Sequence, residues 1–392
     1  MVAAITPKVP VLFVDQSGKP GGAELALLNL AQHIGELCMV VVMNHGEFPK
    51  MLSRAGIKHV ILPMSTSVQN VRRESGLGTA LLALPGIIRS TRRLVQMAAN
   101  AKVVYANTQK AFVIGAIAAW IARRPIIWHL HDILTEAHFN RSSIKLVVWL
   151  SRRLASRVIT NSRATANALI AAGGDAERIE IIWNGIDPKP FESVTNADAS
   201  AARSSLGLCE VPVVGLFGRL APWKGQHVLL DAMRELRTVH ALIVGESLYG
   251  EKNYVAALKR RIEDYGLADR VHFLGFRTDV PLLMHAVDVV VHTSTTPEPF
   301  GRVIVEGMLS GRPVIATAGG GPEEIIQNGL SGIIIPPEDS RSLAAAICSL
   351  LEATPRRERM VSIAKDRAHQ FFSLTSMLSR TDEVICRVGR SS

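Results

Sequence analysis

Short apolar runs alternate along this chain with longer segments whose apolar positions recur every three or four residues. In the first half the runs fall at 9–15, 38–43, 58–62, 102–106, 125–129, 158–160 and 179–183. In the second half they fall at 213–218, 241–245, 271–275, 287–291, 313–317 and 332–336. A run of four to six apolar residues suits a strand buried on both faces, and the intervening period suits helices covering a sheet. The pattern therefore predicts an α/β chain of two doubly wound parallel sheets. Helical patterns at 340–353, 356–372 and 374–388 close it. Between the halves, Pro188-Lys189-Pro190 and the polar segment 193–205 read as a connection. The expected domains are 1–190 and 208–373, with 191–207 as linker and 374–392 returning to the first domain.

Parallel sheets bind ligands beyond their strand carboxyl ends, so the loops after the runs are where chemistry is expected. The first such loop holds Gly21-Gly22-Ala23-Glu24 before a helix. It matches neither a dinucleotide fingerprint nor a P-loop, yet paired glycines at a helix start suit a phosphate. His129 and His131 close the fifth run and, two apart, share a face of the strand. With no third ligand in sequence, His131 reads as a hydrogen-bonding contact to a sugar and His129 as a core histidine.

In the second half, Arg219 and Lys224 share a glycine-bounded loop, a fork and a point charge able to clamp a diphosphate. Farther on, Pro297 and Pro299 bracket Glu298 and keep it out of a helix. Gly301 lets the backbone approach a ligand as a helix begins, and free N–H groups there favour an anion. Glu306 follows inside that helix. Carboxylates only accept hydrogen bonds, so Glu298 and Glu306 suit pairs of sugar or ribose hydroxyls. A second glycine loop, Gly319-Gly320-Gly321, leads into another helix start with Glu323.

Composition adds a partner class. The formal net charge is +10, and residues 1–190 hold 22 Lys and Arg against 11 Asp and Glu. A basic half implies an acidic partner, a phospholipid surface or an anionic acceptor. Aromatics are 5% and no helix-turn-helix, zinc or single-strand-binding signature occurs, which argues against nucleic acid. Two basic amphipathic segments, 77–98 and 144–154, suit either an anionic membrane or the cover of a sheet, and Pro85-Gly86 is expected to break the first. Four scattered cysteines without a CxxC pair indicate a reducing compartment and no cysteine zinc site. The first ten residues lack the apolar stretch of a secretory leader, and the apolar window 111–122 is too short to span a bilayer. The expected location is cytoplasmic, peripheral at the inner face of the membrane.

Taken in order, Gly21-Gly22-Ala23-Glu24, His131-Asp132, Asn161-Ser162, Asn184-Gly185-Ile186-Asp187, Gly218-Arg219, Lys224-Gly225 and the Glu298/Glu306 pair with seven residues between form a familiar set. The chain resembles the family-4 retaining glycosyltransferases of the GT-B fold over nearly its whole length. That resemblance implies two Rossmann-like domains facing across a cleft, with the nucleotide sugar held by the C-terminal one. It implies Arg219 and Lys224 on the diphosphate, Glu306 on the ribose and Glu298 on the transferred sugar. Backbone N–H groups of Phe300, Gly301, Arg302 and Val303 would meet phosphate and sugar, and the base would rest by Phe276 and Arg277. Gly22 would lie near diphosphate or acceptor, and His131 near the donor sugar.

The implied activity is metal-independent hexosyl transfer from a UDP-linked sugar to a hydroxyl acceptor, lipid-linked or anionic, with retention and front-face attack. Cell-surface polysaccharide, glycolipid or small-glycoside synthesis is the implied setting, with no cofactor beyond the co-substrate. Residues 65–78 are the expected acceptor determinant. Two departures stand out: Gly245-Glu246-Ser247 replaces a common Gly-x-Gly, and Trp223 occupies a position often polar. The alternatives are a sugar-nucleotide epimerase of the same fold and a non-catalytic, membrane-associated assembly partner.

Overall fold

The computed structural model describes residues 9–63, 84–136, 139–247, 250–352 and 354–390. They form two compact units, one of residues 1–185 with 375–392 and one of residues 186–374. The expected acceptor loop at 65–78, and the first seven residues of the basic segment at 77–98, lie outside the described residues.

The first unit runs β1 (Val11–Asp15), α1 (Gly22–Ile34), β2 (Cys38–Val42), α2 (Glu47–Arg54), β3 (His59–Ile61), α3 (Leu84–Ala99), β4 (Val103–Ala106), α4 (Gln109–Ile121), β5 (Ile126–Leu130), α5 (Arg141–Leu154), β6 (Ala155–Thr160), α6 (Arg163–Ala171) and β7 (Ile179–Ile181). The strand order is β3-β2-β1-β4-β5-β6-β7, all parallel. Burial on both faces explains why the strands read as unbroken apolar runs. Phe112 of α4 stacks on Trp128 of β5 at 4.4 Å in the core. Side chains start the helices: Thr108, Asn140 and Ser162 accept from Ala111, Ser143 and Thr165 N–H at the heads of α4, α5 and α6.

Pro85-Gly86 stands at the start of the described part of the segment, the helix Leu84–Ala99. The two residues sit in the first turn of α3, where proline lacks no hydrogen bond that the helix would otherwise make.

The second unit runs α7 (Lys189–Glu192), α8 (Asn196–Ser205), β8 (Val213–Phe217), α9 (Gln226–Ala232), β9 (His240–Val244), α10 (Lys252–Asp264), β10 (Val271–Gly275), α11 (Val280–His285), β11 (Val289–His292), α12 (Arg302–Leu309), β12 (Val314–Thr317), α13 (Pro322–Ile325), β13 (Ile333–Ile335), α14 (Ser340–Glu352) and α15 (Thr354–Phe371). Its order is β10-β9-β8-β11-β12-β13, again all parallel. The expected linker at 191–207 is instead structured and belongs to this unit. Thr195 and Asp198 form a reciprocal capping box that starts α8. Arg203 of α8 pairs with Asp288 at 3.1 Å, before β11. A polar surface hid this helix, because its buried face is only alanine.

The final helix α16 (Leu374–Arg390) packs in the first unit. Gly389 leaves no room for a side chain there, since a Cβ would stand 2.9 Å from Val103 and 3.0 Å from Val9. Arg380 donates to Ile181 O at 2.9 Å, and Gly185 N–H meets Met377 Sδ at 3.1 Å. The two chain passages run side by side: Ile186 N–H donates to Phe372 O at 2.9 Å and Leu374 N–H to Ile186 O at 3.2 Å.

Candidate active site

Each sheet reverses its strand order once, between β1 and β4 and between β8 and β11, and a crevice at such a point is where open α/β sheets bind ligands. The buried polar residues gather at these carboxyl ends: Asp15, Asn107, Asn161 and Ser162 in one unit, His292, Thr293, Ser294 and Thr317 in the other. Burial of unpaired polar groups is costly, so each such cluster must be internally satisfied or serve a ligand.

In the second unit, two loops expected to carry chemistry are stitched together. Thr295 N–H donates to Trp223 O at 2.8 Å and Thr293 Oγ1 to Lys224 O at 3.0 Å. Gly225 makes this possible. Its φ is +67°, and a Cβ would lie 1.9 Å from Thr293 O. The result places Lys224 Nζ 2.6 Å from Glu298 Oε2. Ser294 Oγ donates to the same oxygen at 2.9 Å, and His292 Nε2 stands 3.2 Å from it. Burial alone would raise the Glu298 carboxyl, but the Lys224 charge and the His292 hydrogen bond outweigh it and hold the group well below the usual carboxylate range. Glu298 is therefore an ionised, pre-set acceptor.

Trp223 has a defined place. Lys224 Nζ lies 4.2 Å from its ring centroid and the Arg219 guanidinium 5.5 Å, so one indole braces both cations. Arg219 Nε also faces Glu251 Oε1 at 3.7 Å, at the head of α10. The irregular segment after Gly245 thus feeds the cation cluster. Gln226, fully buried, donates to Arg219 O at 2.9 Å and fixes the loop from behind.

Gly301 adopts φ +95° and ψ 57° and begins α12 without a side-chain cap, leaving N–H groups at Arg302 and Val303 open to an anion. Phe300 is buried against Phe372, edge to face at 5.8 Å, so only its backbone can serve a ligand. Arg302 Nη2 pairs with Glu306 Oε1 at 3.4 Å. Burial raises the Glu306 carboxyl, and Arg302 offsets part of this.

The second glycine loop is structural. Gly321 N–H donates to Glu298 O at 2.8 Å, Glu298 N–H to Gly319 O at 3.1 Å, and a Cβ on Gly320 would lie 2.3 Å from Glu298 O. Glu323 accepts from Gly319 N–H at 3.0 Å. These residues set the backbone of Glu298. Phe276, with its ring exposed, and Arg277, paired with Asp279 at 2.7 Å, stand at the end of β10, two strands from β8.

In the first unit, Gly22 begins α1 and Glu24 lies buried in the first turn of that helix. Burial, then the nearby Asp15 charge, pushes Glu24 up to about 8. Asp15 is raised as well, by burial against the hydrogen bonds of Asn107 and Ser17. His131 Nε2 lies 3.0 Å from Asn107 Oδ1. His129 and His131 do share a face, their rings 3.8 Å apart. His129 is a core residue whose Nδ1 meets Tyr105 OH at 2.7 Å, and burial with the His131 charge lowers it well below the ordinary histidine range.

Asp15, Asn107, His292 and Ser294 escaped the motif reading. A usable signal was present: each is at, or within a few residues of, the end of an apolar run, where a polar residue is buried beside the ligand crevice.

Two family patterns match the chain: "Glycosyltransferase Family 4" over residues 20–189 and "Glycosyl transferases group 1" over residues 202–367. The crystal structure of Anabaena HepE in complex with UDP-glucose aligns with a TM-score of 0.88 and 42% identity, over 96% of this chain and 99% of that one. A glycosyltransferase of Rickettsia africae shares the fold with a TM-score of 0.84 at 20% identity, over 98% and 100% of the two chains. The D-inositol 3-phosphate glycosyltransferase of Mycobacterium marinum is 34% identical over 203 residues, 51% of this chain and 43% of that protein. The chain thus spans about half the length of the curated relatives it matches. Motifs in order, twin parallel sheets and full-length similarity to HepE agree, and the chain belongs to the family-4, group 1 glycosyltransferases of the GT-B fold.

Proposed function

We propose that this chain is a retaining, metal-independent glycosyltransferase that moves a hexosyl group from a UDP-linked sugar to a hydroxyl acceptor. The observation that carries the reading is the Trp223-braced pair of cations beside an ionised Glu298. HepE, 42% identical, was solved with UDP-glucose, which supports a UDP-linked donor. Arg219, Lys224 and the N–H groups of Gly301, Arg302 and Val303 take the diphosphate and stabilise it as it leaves, the task a metal performs elsewhere. Glu306 takes the ribose hydroxyls, and Phe276 with Arg277 borders the base. Glu298 offers its carboxylate to the sugar while Ser294 and His292 keep it in place. In the first unit, His131 takes a sugar hydroxyl and Gly22 lies beside the diphosphate or the acceptor. The sugar departs as an oxocarbenium-like centre, the acceptor attacks from the same face, and a donor phosphate oxygen receives the acceptor proton.

The test is a screen of nucleotide sugars for UDP release and transfer, with EDTA present, followed by NMR assignment of the product anomer. UDP-glucose turnover with an α-linked product supports the reading. Inversion, or activity abolished by EDTA, overturns it. Conversion of donor to an epimer without acceptor would favour the epimerase alternative.

A further inference from the structure

In the first unit, the ends of α4 and α5 meet the start of β5 around a cavity of about 600 Å³. Trp120, Ile121 and Leu154 supply its apolar lining, and Arg123, Arg124 and Arg153 its charge. The first residue of β5 lines it too, which places it at the amino end of that strand. Asp15, Asn107 and Asn161 end or follow strands at the opposite, carboxyl end of the same sheet. A strand of five residues spans about 17 Å, so this cavity is separate from the ligand crevice of the sheet.

Charge in the cavity is not balanced. No carboxylate lines it, and no acid among the described residues pairs with Arg123, Arg124 or Arg153. Two helices end there, each contributing about half a negative charge at its carboxyl end. Three guanidiniums therefore leave a surplus of about two positive charges. Arg124 Nη2 donates to Ala99 O at 2.8 Å, while its Nε is buried without an acceptor among the described residues. Arg123 is held at φ +53°, in the left-handed region. Its N–H donates to Trp120 O at 3.1 Å and Arg124 N–H to Ala119 O at 2.8 Å, the pair of bonds that closes a helix around a left-handed residue. Glycine is the usual residue there, because a Cβ is disfavoured. The chain thus keeps an arginine where its backbone resists one, beside two more.

We propose that this cavity is a second ligand site, which takes a phosphate monoester carried on an apolar group. Such a phosphate presents three strong acceptor oxygens and close to two negative charges, enough for several guanidiniums at once and equal to the surplus of charge. A carboxylate offers two oxygens and one charge. The apolar part of the ligand lies against Trp120, Ile121 and Leu154. Trp120 is 68% exposed and Ile121 51%, so a ligand has apolar surface to cover there. Two sources share this chemistry: a lipid of the phosphatidic acid type in a bilayer, and a soluble phosphate ester.

The test is calorimetric titration of the full chain with dihexanoyl phosphatidic acid below its micellar concentration, and with inorganic phosphate. The short-chain lipid is expected to bind at least about tenfold more tightly than phosphate. Arg123→Gly is expected to keep or raise the melting temperature, because glycine suits the left-handed backbone, and yet to lower the affinity for the lipid about tenfold. Arg153→Ala is expected to lower it similarly. Absence of binding to the wild type, or unchanged affinity in both arginine variants, overturns the proposal. The melting temperature separates lost binding from lost folding. Vesicles separate the two sources. Stronger sedimentation with phosphatidic acid than with phosphatidylglycerol of matched surface charge supports the site with a membrane lipid as its ligand. Equal sedimentation, with short-chain binding intact, supports it with a soluble ester. None of these readouts uses turnover, so they stand or fall apart from glycosyl transfer.

Discussion

Trp223 shows how one residue can hold a site together without touching the chemistry. Two like charges, Arg219 and Lys224, are brought close by sequence, and the face of one indole lowers the cost of keeping them there. Trp223→Ala is expected to weaken UDP binding about tenfold by calorimetry, and Trp223→Phe to recover most of that loss. Glu24 offers a second test at this scale. Its carboxyl is raised in the folded chain, so the stability linked to it is complete below the ordinary range near 4.5 and is lost as pH rises towards about 8. Glu24→Gln removes this dependence. Thermal melts are expected to match the wild type at pH 5 and to exceed it at pH 9, by on the order of a few kcal/mol. Equal melting curves at pH 9 would show that Glu24 ionises without penalty. The carboxylates and cations of the site were legible in sequence because their spacing is local. Their partners were not: Asp15 and Asn107 meet only through the strand order of the first unit, and His292 and Ser294, though close to Glu298 in sequence, belong to no motif.

At the scale of elements, the strands were readable to within a few residues because burial on both faces leaves an unmistakable run. Errors fell where a helix lacked an apolar stripe. Helix α8 buries only Ala199 and Ala202, and its start is written in a capping box instead. Thr195→Ala is expected to cost about 1 kcal/mol in denaturant unfolding of the second unit, and an unchanged midpoint would show that the box contributes nothing. Glycine-rich loops are set by close contacts that a sequence does not display. In the loop at 319–321, close backbone approach to Glu298 and Phe300 accounts for Gly320 and Gly321. Gly225 works likewise, by contact and by its positive φ. Gly225→Ala is expected to part the two loops and lower kcat/KM at least about tenfold, with UDP binding weakened in parallel. A variant with normal kinetics would mean that the stitching of the loops is dispensable.

At the scale of the whole molecule, the excess of positive charge in residues 1–190 has a visible outlet. Trp120, Ile121, Leu146 and Trp149 are exposed large hydrophobics on α4 and α5, and Arg123, Arg124, Arg152 and Arg153 stand beside or between them in sequence. Aromatic and basic side chains together suit an anionic lipid surface, although no helix among the described residues is long and apolar enough to cross a membrane. Vesicles with anionic lipid are expected to sediment the protein at low salt, with binding reduced in a Trp120→Ala, Trp149→Ala double variant and by added salt. Equal binding to neutral vesicles would exclude charge recognition. The most direct test of the account lies in the second unit, where Lys224 and Glu298 meet. UDP-glucose titrated calorimetrically into the wild type and into Lys224→Ala should bind the first and lose at least about 1.4 kcal/mol, a factor of ten, in the second. Equal affinity in the two proteins, or none in the wild type with any nucleoside diphosphate, would contradict it.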